Sequence, residues 1–127
     1  GNLHMDDVYP DVILVYLGIN DWGSGVAVSA EAAAAGDTCF SLAYSLMLSR
    51  LRKNYPDAEI WCCTLGETCI AAKPDFRFPE AFGGISIREY NYHIANAALA
   101  AGCCLADIHS QEILFDTLRK AWTPWRC

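Results

Sequence analysis

The stretch "PDVILVYLGINDWG", Pro10 to Gly23, decides the fold. Its apolar run, Val12 to Leu17, is rich in β-branched and aromatic residues and shows no polar alternation. Such a run suits a parallel strand covered on both faces. It stops at Gly18, and Asn20 and Asp21 follow at once. Gly, Asn and Asp are ordinary turn formers, so a plain turn accounts for the residue types. Their position at the end of a buried strand suggests a second role, the delivery of a carboxamide to a reaction site.

Working outward, strand and helix patterns alternate. Phe40, Ala43, Tyr44, Met47, Leu48 and Leu51 fall at helical spacing, which predicts a helix over Phe40 to Asn54. Asp37 or Thr38 is placed to cap its start, and Pro56 ends it. "AEIWCCTL", Ala58 to Leu65, reads as a second buried strand with Trp61 in the core. Ser86 and Glu89 form a capping box, followed by the apolar stripe Ile87, Tyr90, Ile94 and Ala98, and Gly102 is placed as the stop. "CCLAD", Cys103 to Asp107, is a third strand, and Ser110 opens a last helix to about Trp122. The order β-α-β-α-β-α with right-handed crossovers gives a parallel sheet carrying helices. One domain over 10–127 is expected, with 1–9 as an N-terminal arm. Ligands on such sheets bind beyond the carboxyl ends of the strands. Two connections there, Gly18 to Asp37 and Gly66 to Gly84, exceed the usual two to six residues.

Composition narrows the function classes. The chain has 127 residues, is 54% hydrophobic and only 19% charged, so disorder is not expected. Its formal net charge of −6, with no cluster of Lys and Arg, argues against a nucleic-acid partner. No apolar stretch approaches the ~20 residues of a membrane helix, and no basic segment followed by an apolar one marks a signal peptide. Seven cysteines include the adjacent pairs Cys62-Cys63 and Cys103-Cys104. Neighbours in a strand face opposite ways, and no C-x-x-C is present. Reduced thiols packed as small hydrophobes are the expectation. They imply a reducing, cytoplasmic compartment and no bound metal.

At this point the residues resemble a family. The strand, then G-x-N-D at Gly18 to Asp21, a long loop, a helix ending "RLRKNYPDAEIW", and finally "REYNYHIANAALAAGCCLADIHS" are similar to the SGNH, or GDSL, hydrolases. The resemblance runs from about Pro10 to Asp107. It implies a three-layer α/β/α sandwich with a parallel, flavodoxin-like sheet, and an esterase, lipase or related acyl hydrolase needing no cofactor. In that family the Asn of G-x-N-D donates its side-chain amide to the oxyanion hole, a role that falls on Asn20. Asp21 is then a turn or capping residue beside the substrate, and Gly18 lets backbone pass close to the site. Trp22 and Phe78, with the neighbouring Phe76 and Phe82, are candidate apolar walls for a small ester substrate.

The pattern also breaks. The family's nucleophilic Ser lies in a G-D-S motif upstream of G-x-N-D, and none occurs here. Its general base lies in D-x-x-H-P, whereas this chain has Asp107-Ile108-His109 with no Pro. The expectation is therefore the middle and late part of a larger domain, incomplete at both catalytic ends. His109 is the candidate base, because it follows a strand at the catalytic rim. Ser24 and Cys39 are weaker nucleophile candidates: Ser24 lacks the elbow motif, and no His stands visibly near Cys39. His93 and His4 are read as structural and exposed, respectively. Three strands where the family has about five leave an apolar edge open, which predicts a homo-oligomer through that edge. Two other readings share the topology. One is a non-catalytic interaction module. The other is a flavodoxin- or receiver-like domain, for which "GINDWGSG" is a poor phosphate loop because Ile19 and Trp22 interrupt it.

Overall fold

The computed structural model describes residues 9–31, 33, 36–66, 69–70, 73–77 and 85–110. The elements are β1 (Val12–Val15), α1 (Ile19–Gly23), α2 (Phe40–Asn54), β2 (Glu59–Cys63), β3 (Cys69–Ile70), β4 (Lys73–Arg77), α3 (Ile87–Ala100) and β5 (Cys104–Ala106). β1, β2 and β5 form a parallel sheet in that order. This is the expected α/β architecture, and α2 has both predicted ends. The strands are shorter than the apolar runs that predicted them, because ladder pairing ends before the apolar residues do.

The strand order advances in one direction, so right-handed crossovers put α2 and α3 on the same face. The two helices pack on each other, and α3 also packs on β2 and β5. In the register, Val15 faces Cys62 and Cys62 faces Leu105, while Ile13 faces Ile60. Ile60, Cys62 and Val15 are buried, together with Tyr44 and Leu48 from α2 and Tyr90, Ile94 and Ala98 from α3. Burial pushes the Cys62 thiol up to about 11, as a small packed hydrophobe requires.

The opposite face corrects one expectation. β1 is not covered on both sides: Val12 is 53% exposed, Leu14 70% and Tyr16 50%. Trp61, the partner of Leu14 in the ladder, is half-buried on that same face and bonds Glu59 through its indole, so it is not core. Among the described residues β1 also pairs along one edge only. The predicted last helix lies outside the described residues beyond 110, as does the N-terminal arm over 1–8.

Local signals set the helix ends. Ser86 and Glu89 make the full capping box of α3. At its other end Gly102 takes φ 67, the Cys103 N–H reaches the Ala98 carbonyl and the Gly102 N–H reaches that of Leu99, which is a Schellman stop. α2 starts differently from the expectation. Its cap is Cys39, with no side-chain cap bond, and the N–H groups of Phe40 and Ser41 donate to the carbonyls of Ala27 and Val28. The long loop thus folds back and caps the helix with its own backbone. The long connection Gly66 to Gly84 contains the antiparallel pair β3–β4.

Gly18 joins β1 to α1 at φ 130, and a Cβ there would stand 3.1 Å from the Phe40 ring and 3.2 Å from Leu65 Cδ1. Gly18→Ala is expected to cost about 1–3 kcal/mol, from left-handed strain plus overpacking. Urea unfolding measures it, and an unchanged midpoint would contradict this account of the turn.

Candidate active site

The carboxyl ends of β1, β2 and β5 share one rim, the edge where open parallel sheets bind ligands. After β1 the chain turns at Gly18 into α1, and the Trp22 N–H closes the first helical bond on the Gly18 carbonyl at 2.9 Å. Asn20, the second residue of α1, is exposed at this rim. Its carbonyl takes the Ser24 N–H at 2.9 Å, leaving the side-chain amide outside the helix's own backbone bonding. Asp21 is exposed as well, and its carbonyl accepts from Ser24 and Val26, so its backbone closes the turn. Burial first, and then the Asp21 carboxylate, push the neighbouring Tyr90 phenol up to about 12. The Tyr90 hydroxyl donates to the Val26 carbonyl.

Two expectations change here. Trp22 is no wall of a cleft: it is 1% exposed, and its indole N–H donates to the Ile85 carbonyl at 2.6 Å. An aromatic beside Asn20 suits either place in sequence, and the partner that decides it lies 63 positions away. Gly18 serves packing, since its open side is filled by Phe40 and Leu65. Phe78 and Phe82 lie outside the described residues, and Phe76 falls in β4.

At the end of β2, Asn91 clasps the backbone of Leu65. Its Oδ1 accepts the Leu65 N–H at 2.7 Å and its Nδ2 donates to the Leu65 carbonyl at 2.9 Å. The Thr64 N–H bonds the Ala106 carbonyl across to β5 at 3.0 Å. Past β5, Asp107 starts a helical turn over 108–110. Its carboxylate accepts from Thr64 Oγ1 at 3.0 Å, from the Ser110 N–H at 3.2 Å and from Ser110 Oγ at 2.7 Å. The Ser110 hydroxyl is the chief cause that holds the Asp107 carboxyl below the usual range.

His109 donates its backbone N–H to Thr64 Oγ1 at 3.0 Å. It lines a cavity of about 440 Å³ with Thr64, Arg88, Asn91, Asp107 and Ser110 among its neighbours. Asn20 does not line that cavity, and β2 runs between the strands that carry the two residues. Among the described residues, the polar positions of the rim at α1 and past β5 therefore stand apart. Sequence reasoning missed Arg88 and Asn91 as cavity residues. The D-x-x-S spacing from Asp107 to Ser110 was the available signal for the cap. The other nucleophile candidates stay apart: Ser24 is exposed at the end of α1, whereas Cys39 is buried with Sγ 3.6 Å from Ser41 Oγ. Among the described residues no group of three or more His, Cys, Asp or Glu could hold a metal, and no helix is long and apolar enough to cross a membrane.

Comparison with known proteins gives a consistent result. The model of the GDSL-like Lipase/Acylhydrolase family matches residues 2–126. A segment of 54 residues, 42% of this chain, is 39% identical to Cellulase/esterase CelE of Acetivibrio thermocellus, of which it covers 6%. A possible lipase from Chitinophaga pinensis superposes with TM-score 0.62 at 20% identity, over 84% of this chain and 46% of that one. A protein from Lactobacillus plantarum gives TM-score 0.60 at 21% identity, over 79% of this chain and 48% of that one. The chain thus spans about half the length of these solved structures, which share its fold.

The Asp107 cap makes a pH-dependent prediction. A carboxyl whose folded pKa is depressed stabilises the fold above its unfolded value, near 3.9, and loses that contribution as pH falls through the folded value. Asp107→Ala is expected to cost about 1 kcal/mol at neutral pH and to flatten the loss of stability below about pH 4. Thermal melts from pH 2 to pH 7 check both, and parallel wild-type and variant curves would contradict the cap.

Proposed function

Because the chain belongs to the GDSL-like lipase/acylhydrolase family, we propose that it serves ester hydrolysis with the Asn20 side-chain amide as an oxyanion donor. The observation that carries this reading is the placement of Asn20. Its side chain is exposed at the ligand-binding rim of the sheet, on a turn whose next residue but one is fully buried. In the reaction, a nucleophilic oxygen adds to the ester carbonyl, and the carbonyl π pair moves onto oxygen. The Asn20 Nδ2–H stabilises that O⁻, and collapse of the intermediate expels the alkoxide, which takes up the proton that the base removed from the nucleophile; water then adds to the acyl group in the same way and releases the acid and the nucleophile. A preformed donor needs no reorganisation as charge develops, which is why one such group supplies about 3 kcal/mol of barrier reduction. His109 is the proposed base, at the second position on the rim. No serine of the sequence stands in a G-D-S or G-x-S-x-G motif, and this reading names no nucleophile among its residues. The substrate class is a small ester.

A separate observation favours a second reading, association through β1. Its outer edge is unpaired among the described residues, and Val12, Leu14, Tyr16 and Leu17 are all exposed. No charged residue interrupts that run to deter pairing. The reading expects a homo-oligomer whose mass by light scattering rises with concentration. A monomer across the micromolar range would exclude it.

Hydrolysis of a short-chain p-nitrophenyl ester tests the catalytic reading. Asn20→Ala is expected to lower kcat by about 10²–10³-fold with KM little changed. His109→Ala is expected to lower kcat by about 10²–10⁴-fold. Full activity in Asn20→Ala would overturn the oxyanion assignment.

A further inference from the structure

We infer that Trp22 is a positioning residue for Asn20, acting through its buried indole bond to the Ile85 carbonyl; the inference rests on the oxyanion reading above. α1 is a single turn of five residues, too short to hold its shape alone. Asn20 itself is exposed, so burial of its own side chain is not what anchors the turn. The turn must be held from its buried side, and Trp22 is the buried residue of α1. Its indole fills the core with 1% exposure, and its Nε1–H reaches across to Ile85, just before the cap of α3, at 2.6 Å.

Two further contacts put the same hold on neighbouring points. The Tyr90 hydroxyl, one helical turn into α3, bonds the Val26 carbonyl just past α1. Asn91 holds Leu65 by its backbone N–H and carbonyl, and the Leu65 side chain lies against Gly18, where α1 begins. Ile85, ahead of the cap of α3, together with Tyr90 and Asn91 in its first half, therefore holds the turn before, within and after Asn20. Among the described residues, Trp22 is the buried side chain of α1 that bonds from inside the turn to another segment. Phe at position 22 keeps most of the apolar bulk and deletes the donor, which separates orientation from core filling.

The test uses ¹⁵N-labelled whole chain and reads the side-chain amide of Asn20 by heteronuclear NOE. In Trp22→Phe the Asn20 amide is expected to drop toward loop values while far-UV circular dichroism is retained. Trp61→Phe is the control, because it also deletes an indole bond but lies away from α1, and it is expected to leave the Asn20 signal unchanged. In the ester assay Trp22→Phe is expected to lose at least about five-fold in kcat at unchanged KM, as misplacement of a catalytic group does. Should Trp22→Phe fail to fold, hydrogen exchange in the unmutated chain replaces it. The Trp22 indole N–H and the α1 backbone N–H groups are then expected to open in one event below global unfolding. An Asn20 amide that keeps its order in Trp22→Phe, or an indole that exchanges only on global unfolding while α1 opens freely, overturns the inference. Activity that survives Asn20→Ala would sink the oxyanion reading but leave the coupling of Trp22 to Asn20 standing, so the two failures are distinguishable.

Discussion

The arrangement at the rim depends on the chain turning at Gly18. At φ 130 the backbone enters a region closed to most side chains, and the space a Cβ would need is already taken by Phe40 and Leu65. This one residue ends β1, starts α1 and brings the beginning of α2 and the end of β2 against the same point. Asn20 then comes out exposed and Trp22 buried, two residues apart on a helical turn. The position of the carboxamide at the rim follows from where the core closes at Gly18 and Trp22.

The same logic extends along the rim. The end of β2 is fixed by the Asn91 clasp, and the end of β5 by Asp107 with Thr64 and Ser110. The end of β2 is thus held by a side chain of α3, and the end of β5 by the residue that follows it. The sheet itself is one-sided in the described residues, since both crossover helices lie on the face of Ile60 and Cys62. Its other face presents Val12, Leu14 and Tyr16 to solvent, alongside a β1 edge that is unpaired among the described residues. An apolar surface in that position exerts a standing pull toward whatever covers it.

Much of this was legible in the sequence, where the signals are local. The period of Phe40 to Leu51, the Ser86–Glu89 box and Gly102 located two helices with their ends, because capping and helical spacing act within a few residues. The parallel order followed from alternation and handedness. What was not legible depended on distant partners. Trp22 fits a cleft wall as well as it fits a core until the Ile85 carbonyl is seen beside it. The apolar run of β1 reads as covered on both faces, since burial of one face and exposure of the other leave the same residues in place. The Cys39 cap failed the expectation because the loop's own carbonyls at Ala27 and Val28 took the N–H groups that Asp37 or Thr38 would have served. His109 was found at the rim, but its cavity companions Arg88 and Asn91 come from another element and leave no spacing to read.

An NMR titration with a soluble alkylphosphonate monoester, a tetrahedral anion that resembles the acyl-transfer intermediate, reads the role of the Asn20 carboxamide directly. The account predicts that the Asn20 side-chain amide shifts in a saturable way, with the α1 backbone signals following it. A titration in which only the residues around His109 respond, with Asn20 silent, would place the anion site past β5 and contradict the assignment of the carboxamide.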